Sequence, residues 1–178
     1  MTQTVVIMGV TGTGKTTVAQ AMVDLLGWRF AEGDDLHPPA NVAKMTAGQP
    51  LTDEDRRPWL ERVADWIGQC EAAKADGIVT CSALKRSYRD LLRQGHPSVR
   101  FCHLTAPREV LAERLRVRQG HYMPASLLDS QLSTLEPLGP DEPGVAVSDE
   151  GATGEVLARV LAALGPPTHD VSLCWPAV

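Results

Sequence analysis

No stretch of this chain approaches the roughly 20 consecutive apolar residues that a membrane helix needs, so no membrane partner is expected. The opening "MTQT" has no basic region leading into an apolar one, so no secretory leader is expected either. Excess positive charge is missing too. The net charge is −5, which argues against a nucleic-acid partner held by bulk electrostatics. The four cysteines (Cys70, Cys81, Cys102 and Cys174) show no C-x-x-C spacing, and two of them sit in apolar, strand-like runs. Buried free thiols in a reducing cytoplasm are therefore expected, rather than disulfides or a zinc site. Internal repeats and low-complexity tracts are absent as well.

What is present fits one folded domain. The 178 residues are 43% hydrophobic, enough for a full core. Short apolar runs alternate with helix-period segments, the pattern of a parallel sheet wrapped in helices. Strands are predicted at 4–8, 29–32, 78–81, 99–104 and 145–148. Val18, Met22, Leu25 and Leu26 fall on one face of a first helix that Gly27 ends. Leu60, Val63, Ile67 and Cys70 make a stripe on a later helix, with Pro58 placed in its first turn. Val156, Val160, Leu161 and Leu164 do the same near the end. The domain is read as 1–164, with 165–178 as a tail. Within it, about 118–143 carries no strand signal and reads as a small lid inserted between the fourth and fifth strands.

The strongest signal is "GVTGTGKTT" (9–17), which follows the apolar "TVVIM" and opens a helix. Gly9, Gly14, Lys15 and Thr16 fit G-x-x-x-x-G-K-[ST] in the strand-to-helix context that the motif requires. Its glycines let successive N–H groups turn inward as an anion nest, and the helix start adds unsatisfied donors. Gly9, Thr11, Gly12, Thr13, Gly14, Lys15, Thr16 and Thr17 are therefore read as nucleotide-binding. Lys15 supplies a point charge to the β- and γ-phosphates, and the Thr16 hydroxyl is placed for Mg²⁺. The third strand, "IVTCS", ends without the acid that often follows such a run. Acids stand instead after the second strand, in "FAEGDD". This arrangement points toward small-molecule kinases.

Longer segments carry a resemblance. "EGDDLHPPANVAKMTAGQPLTDEDRRPWL" (32–60), "CSALKRSYRDLLR" (81–93), "RLRVRQGHYM" (114–123) and "QLSTLEPL" (131–138) resemble gluconate kinase (gluconokinase), of the adenylate-kinase-like P-loop group. The resemblance runs from about Val5 to Leu164. It implies an α/β P-loop kinase with a five-stranded parallel sheet of order 2-3-1-4-5, helices on both faces and a small lid. It also implies transfer of the γ-phosphate of ATP to the 6-hydroxyl of D-gluconate with Mg²⁺, in a homodimer.

Candidate acceptor residues follow from what such a reaction needs. Asp34, just past the second strand, is read as the base or orienter of the attacking hydroxyl; capping a turn is its rival role. Glu32 reads equally as a water-mediated metal contact or as a plain strand-end acid. A gluconate ion asks for one or two cations in fork geometry plus neutral donors. Arg56, Lys85 and Arg89 are candidates for the first, and His37, Ser82 and Tyr88 for the second. Arg56 could instead pair with the acids of the "TDED" capping-box start, and His37 could simply pack beside Pro38. Arg114 and Arg118 lie i, i+4 on one helix face. In related P-loop kinases arginines at this place cover the adenine and reach the transferred phosphate, which makes Arg118 a catalytic candidate; a solvated helix face is the bland alternative. His121, beside Gly120, is placed on the substrate side. Shikimate kinase and nucleoside monophosphate kinases are the enzyme rivals, and an ATP-sensing protein without transfer is the rival of a different class.

Overall fold

The computed structural model describes residues 2–117 and 125–165. Arg118, His121, Cys174 and the tail from residue 166 lie outside the described residues. The chain runs β1 (Thr4–Met8), α1 (Lys15–Leu26), β2 (Arg29–Ala31), a 3₁₀ turn (Gly33–Leu36), α2 (Pro39–Thr46) and α3 (Asp53–Ala72). It continues through β3 (Gly77–Thr80), α4 (Arg86–Arg93), β4 (Val99–Thr105), α5 (Arg108–Val117), α6 (Ala125–Thr134), β5 (Gly144–Ser148) and α7 (Thr153–Leu164). All strand pairs are parallel, in the order β2-β3-β1-β4-β5. The central strand β1 feeds the glycine-rich loop, at the edge where open α/β sheets bind ligands.

The alternation along each strand divides the core between two layers. Val6, Met8, Val79, Cys81, Val99 and Phe101 face α3 and α4, meeting Trp59, Leu60, Val63, Ile67 and Leu92. Val5, Ile7, Ile78, Cys102 and Leu104 face α1 and α7, meeting Val18, Met22, Val156 and Val160. A sheet covered on both faces needs continuous apolar strands, which is why "TVVIM" is buried throughout. A third, smaller cluster of Val10, Leu84, Leu111 and Leu128 lies against the glycine-rich loop.

Three expectations change. Leu25 is 42% exposed, and Ala19 takes its place in the buried stripe of α1. The helix carrying Pro58 starts earlier, at Asp53, under a capping box from Thr52 and Asp55; Pro58 stands beyond the first turn. Residues 135–143, assigned to the lid, are pinned to α4. Arg86 N–H donates to Glu136 Oε2 at 2.6 Å and its guanidinium pairs with Asp141. Glu136 N–H donates to Leu84 O at 2.8 Å.

Arg89 makes the deepest of these pins. Its side chain is 0% exposed and forks onto Glu142, itself 1% exposed, at 2.6 and 2.9 Å. The remaining donors go to the carbonyls of Ala83, Leu84, Glu136 and Pro137. Burial alone would raise the Glu142 pKa, but hydrogen bonds from Arg89 and the Gly139 N–H hold it below the ordinary value. Removing one partner from such a pair strands a charge in the interior. Arg89→Met is expected to lower unfolding stability by about 3–5 kcal/mol in urea titrations. A loss near zero would show that the buried pair contributes nothing net.

Candidate active site

The site is assembled from loops at one edge of the sheet. Gly14 caps α1 in the left-handed region at φ 68°, and its N–H joins those of the following turn in facing the loop's mouth. Thr13 turns its hydroxyl inward to donate to Val10 O at 2.8 Å, and so contributes its backbone rather than its side chain. Lys15 Nζ donates to the same carbonyl at 3.1 Å, which places the ammonium over the mouth. On the far side a cleft of about 240 Å³ is lined by Gly12, Gly14, Thr17, Arg114, Asp149 and Thr153, among others. Arg114 is fixed there by Asp149 Oδ2 at 2.6 Å and by Gly12 O at 3.1 Å. This is a nucleotide-shaped arrangement: an anion nest continuing into a cleft with an arginine along its wall.

At the other end β2 and β3 come unusually close. A Cβ on Gly33 would fall on the Thr80 carbonyl, so only glycine fits. Gly33 N–H donates to Thr80 Oγ1 at 3.0 Å, and Thr80 in turn donates to Glu32 Oε1. The second oxygen, Oε2, accepts from Thr16 Oγ1 at 2.7 Å. Glu32 therefore joins the loop's threonine to the end of β3, where Thr80 stands in place of an acid. A hydroxyl with one carboxylate beside it suits Mg²⁺, which binds few protein ligands and keeps water and phosphate oxygens. Among the described residues no cluster of three or more His, Cys, Asp or Glu could cage a metal by itself.

Asp34 opens the 3₁₀ turn and is exposed. Its field, with those of Lys15 and Arg56, reaches the buried Cys81 thiol at the end of β3. That thiol is pushed up to about 12, mainly by burial, and is inert. Asp34, Lys15 and Arg56 thus all lie near the end of β3. The turn is held from below by Trp59, whose Nε1–H donates to Gly33 O at 2.7 Å and whose ring stacks on His37 with centroids 4.2 Å apart.

His37 has a defined tautomer. Asn41 Nδ2 donates to Asp55 O at 2.8 Å, which fixes that end of the amide as nitrogen, and also lies 3.3 Å from His37 Nδ1. Nδ1 is therefore the acceptor, and Nε2–H is the donor left for a ligand.

The remaining candidates separate. Arg56 has no ion pair among the described residues and sits 6.0 Å from the Tyr88 ring centroid. Lys85 is already paired with both oxygens of Asp53, at 2.7 and 2.8 Å, and Tyr88 OH donates to the same carboxylate. Hydrogen bonds from Lys85 and then Tyr88 hold the Asp53 pKa below its ordinary value. Ser82 lends its carbonyl to Gly9 N–H at 3.3 Å. Arg89 is corrected outright: with every donor spent inside the protein, it cannot reach a substrate. Thr80, Trp59 and Asp53 were missed. Trp59 lay in plain view within "RRPWL", but only the fold shows what it supports.

The comparisons agree with this geometry. A family model described as an AAA domain matches residues 5–138. A gluconokinase of Gluconobacter oxydans is 54% identical over 88% of this chain and 88% of its own length. The chain belongs to the gluconokinase family. A crystal structure of a gluconokinase from Sinorhizobium meliloti shares 46% identity, covers 91% of each chain and superposes with a TM-score of 0.81. An unliganded sugar kinase from Janibacter is similar at 51% identity and a TM-score of 0.87, covering 92% of this chain and 95% of its own.

The buried stack gives a pH test. His37 is pushed down to about 4, first by burial and then by the Arg56 charge. The unfolded chain takes up this proton near 6.5 while the folded chain resists it, so stability falls as pH drops from about 6.5 to about 4. His37→Gln is expected to flatten the urea midpoint against pH over that window. An unchanged slope would mean that His37 protonates freely in the fold.

Proposed function

We infer that this protein transfers the γ-phosphate of ATP to the 6-hydroxyl of D-gluconate, giving 6-phosphogluconate and ADP. The observation that carries the reading is the glycine-rich loop with Lys15 over its mouth, joined through Thr16 and Glu32 to the turn that bears Asp34, in a chain of the gluconokinase family.

Each residue has a task under this reading. The glycine-rich loop and Lys15 hold the phosphates, and Arg114 borders the base. Asp34 orients the attacking hydroxyl in line with the γ-phosphorus and takes its proton. Arg56, which forms no ion pair among the described residues, receives the substrate's carboxylate as a fork. His37 Nε2–H and Ser82 address its hydroxyls, and Tyr88 keeps Asp53 and Lys85 in place beside them. Thr16 and Glu32 would hold Mg²⁺, Glu32 through water; the ion neutralises charge on the phosphates when bound. Arg118 and His121 keep the lid-side roles that the resemblance implies. A homodimer and a cytoplasmic location are proposed on the same resemblance. Among the described residues no helix is long and apolar enough to cross a membrane.

ADP release measured across gluconate, shikimate, AMP and related sugar acids tests the assignment. Turnover is expected with gluconate, and strong turnover with shikimate or AMP instead would overturn it. Asp34→Asn should lower kcat by roughly 10²–10⁴ with ATP affinity little changed; near-normal kcat removes Asp34 from the chemistry. Arg56→Met should raise the gluconate KM roughly tenfold or more, the worth of a charged hydrogen bond, whereas an effect on ATP alone would move Arg56 to the nucleotide side.

A further inference from the structure

One contact in the loop comes from far along the chain. Thr11 N–H donates to Gln131 Oε1 of α6 at 2.7 Å, across 120 residues. That N–H belongs to the same peptide unit as the Val10 carbonyl, which accepts from Thr13 Oγ1 at 2.8 Å and from Lys15 Nζ at 3.1 Å. A peptide group is a rigid plane, so fixing its N–H also fixes its C=O. Gln131 therefore sets the orientation of the carbonyl on which the Lys15 ammonium rests. Within the loop this peptide is held through its carbonyl, by the Thr13 and Lys15 side chains, whereas its N–H is engaged from α6.

The side chain is presented rigidly. Leu128, Gln131, Leu132 and Leu135 fall at helix spacing, and the three leucines pack with Val10, Leu84 and Leu111. Leu135 N–H continues the helical pattern onto Gln131 O at 2.9 Å, and Glu136 N–H is bound to Leu84 O. The helix is thus seated on both the glycine-rich loop and the β3–α4 connection. Gln131 Nε2 has no hydrogen-bond partner among the described residues, so the amide's one defined engagement is with the loop.

We propose that Gln131 is a positioning residue for phosphoryl transfer, acting through the Val10–Thr11 peptide to place Lys15 against the transferred phosphate. The proposal rests on the kinase reading above. It requires no contact between Gln131 and substrate. Misplacing a group that stabilises the transition state costs rate more than ground-state binding.

Gln131→Met keeps length and helix propensity but removes the acceptor. The expected result is a kcat reduced roughly ten- to a hundredfold, with KM for ATP and gluconate within about twofold and the thermal midpoint unchanged. In a ¹⁵N-labelled sample of the full chain, the Thr11 amide should also lose its protection from hydrogen exchange while Val5–Met8 keep theirs. A kcat within twofold of the parent, or a kcat loss that tracks a fall in thermal midpoint, overturns the proposal. So does a Thr11 amide that remains protected. If the parent enzyme does not turn over gluconate, the functional reading fails separately, and the exchange measurement still decides whether Gln131 holds the loop.

Discussion

The contact of Gly33, just past the end of β2, with Thr80 at the end of β3 is the constraint on which both halves of the site depend. Because a side chain at 33 would overlap the Thr80 carbonyl, the backbone after β2 lies directly against β3 and its N–H ends on the Thr80 hydroxyl. That single junction brings Glu32 against Thr16 of the glycine-rich loop and sets Asp34 in the exposed turn that follows. Trp59 closes it from beneath through the Gly33 carbonyl. The spacing between the glycine-rich loop and the turn that bears Asp34 is thereby set by backbone rather than by flexible side chains.

Electrostatics then sorts the cations into working and structural ones. Lys85 and Arg114 each face a carboxylate, Arg89 is fully spent in the interior, and Arg56 keeps its charge uncommitted among the described residues. A monoanionic, polyhydroxylated acceptor needs little more than one such fork. The Asp53 carboxylate beside it offers acceptors for substrate hydroxyls only as long as Lys85 and Tyr88 leave lone pairs free.

Much of this was legible in the sequence, and the exceptions share a physical cause. The loop was readable because strand, glycines, lysine and helix are contiguous and each has a local reason. Strand positions followed from the apolar runs to within about a residue. The sheet order and acceptor came through the resemblance of "GDDLHP", "RRPWL" and "CSALKRSYRDLLR", not from periodicity. Arg89 was misread because an arginine in a basic helix looks the same whether it faces solvent or a carboxylate 53 residues away. Leu25 was misread because a helix of twelve residues can bury a narrower stripe than its apolar positions suggest. Thr80, Trp59, Asp53 and Gln131 stood within segments that the sequence made visible, but their roles were not legible, since each is defined by a partner on another element.

The Arg89–Glu142 pin also dictates an order of assembly. On a ribosome the guanidinium is made 53 residues before the carboxylate that neutralises it. Until that segment emerges, α4 has no carboxylate with which to bury its own cation at low cost. Closure of this part of the interior therefore waits on one late, long-range encounter.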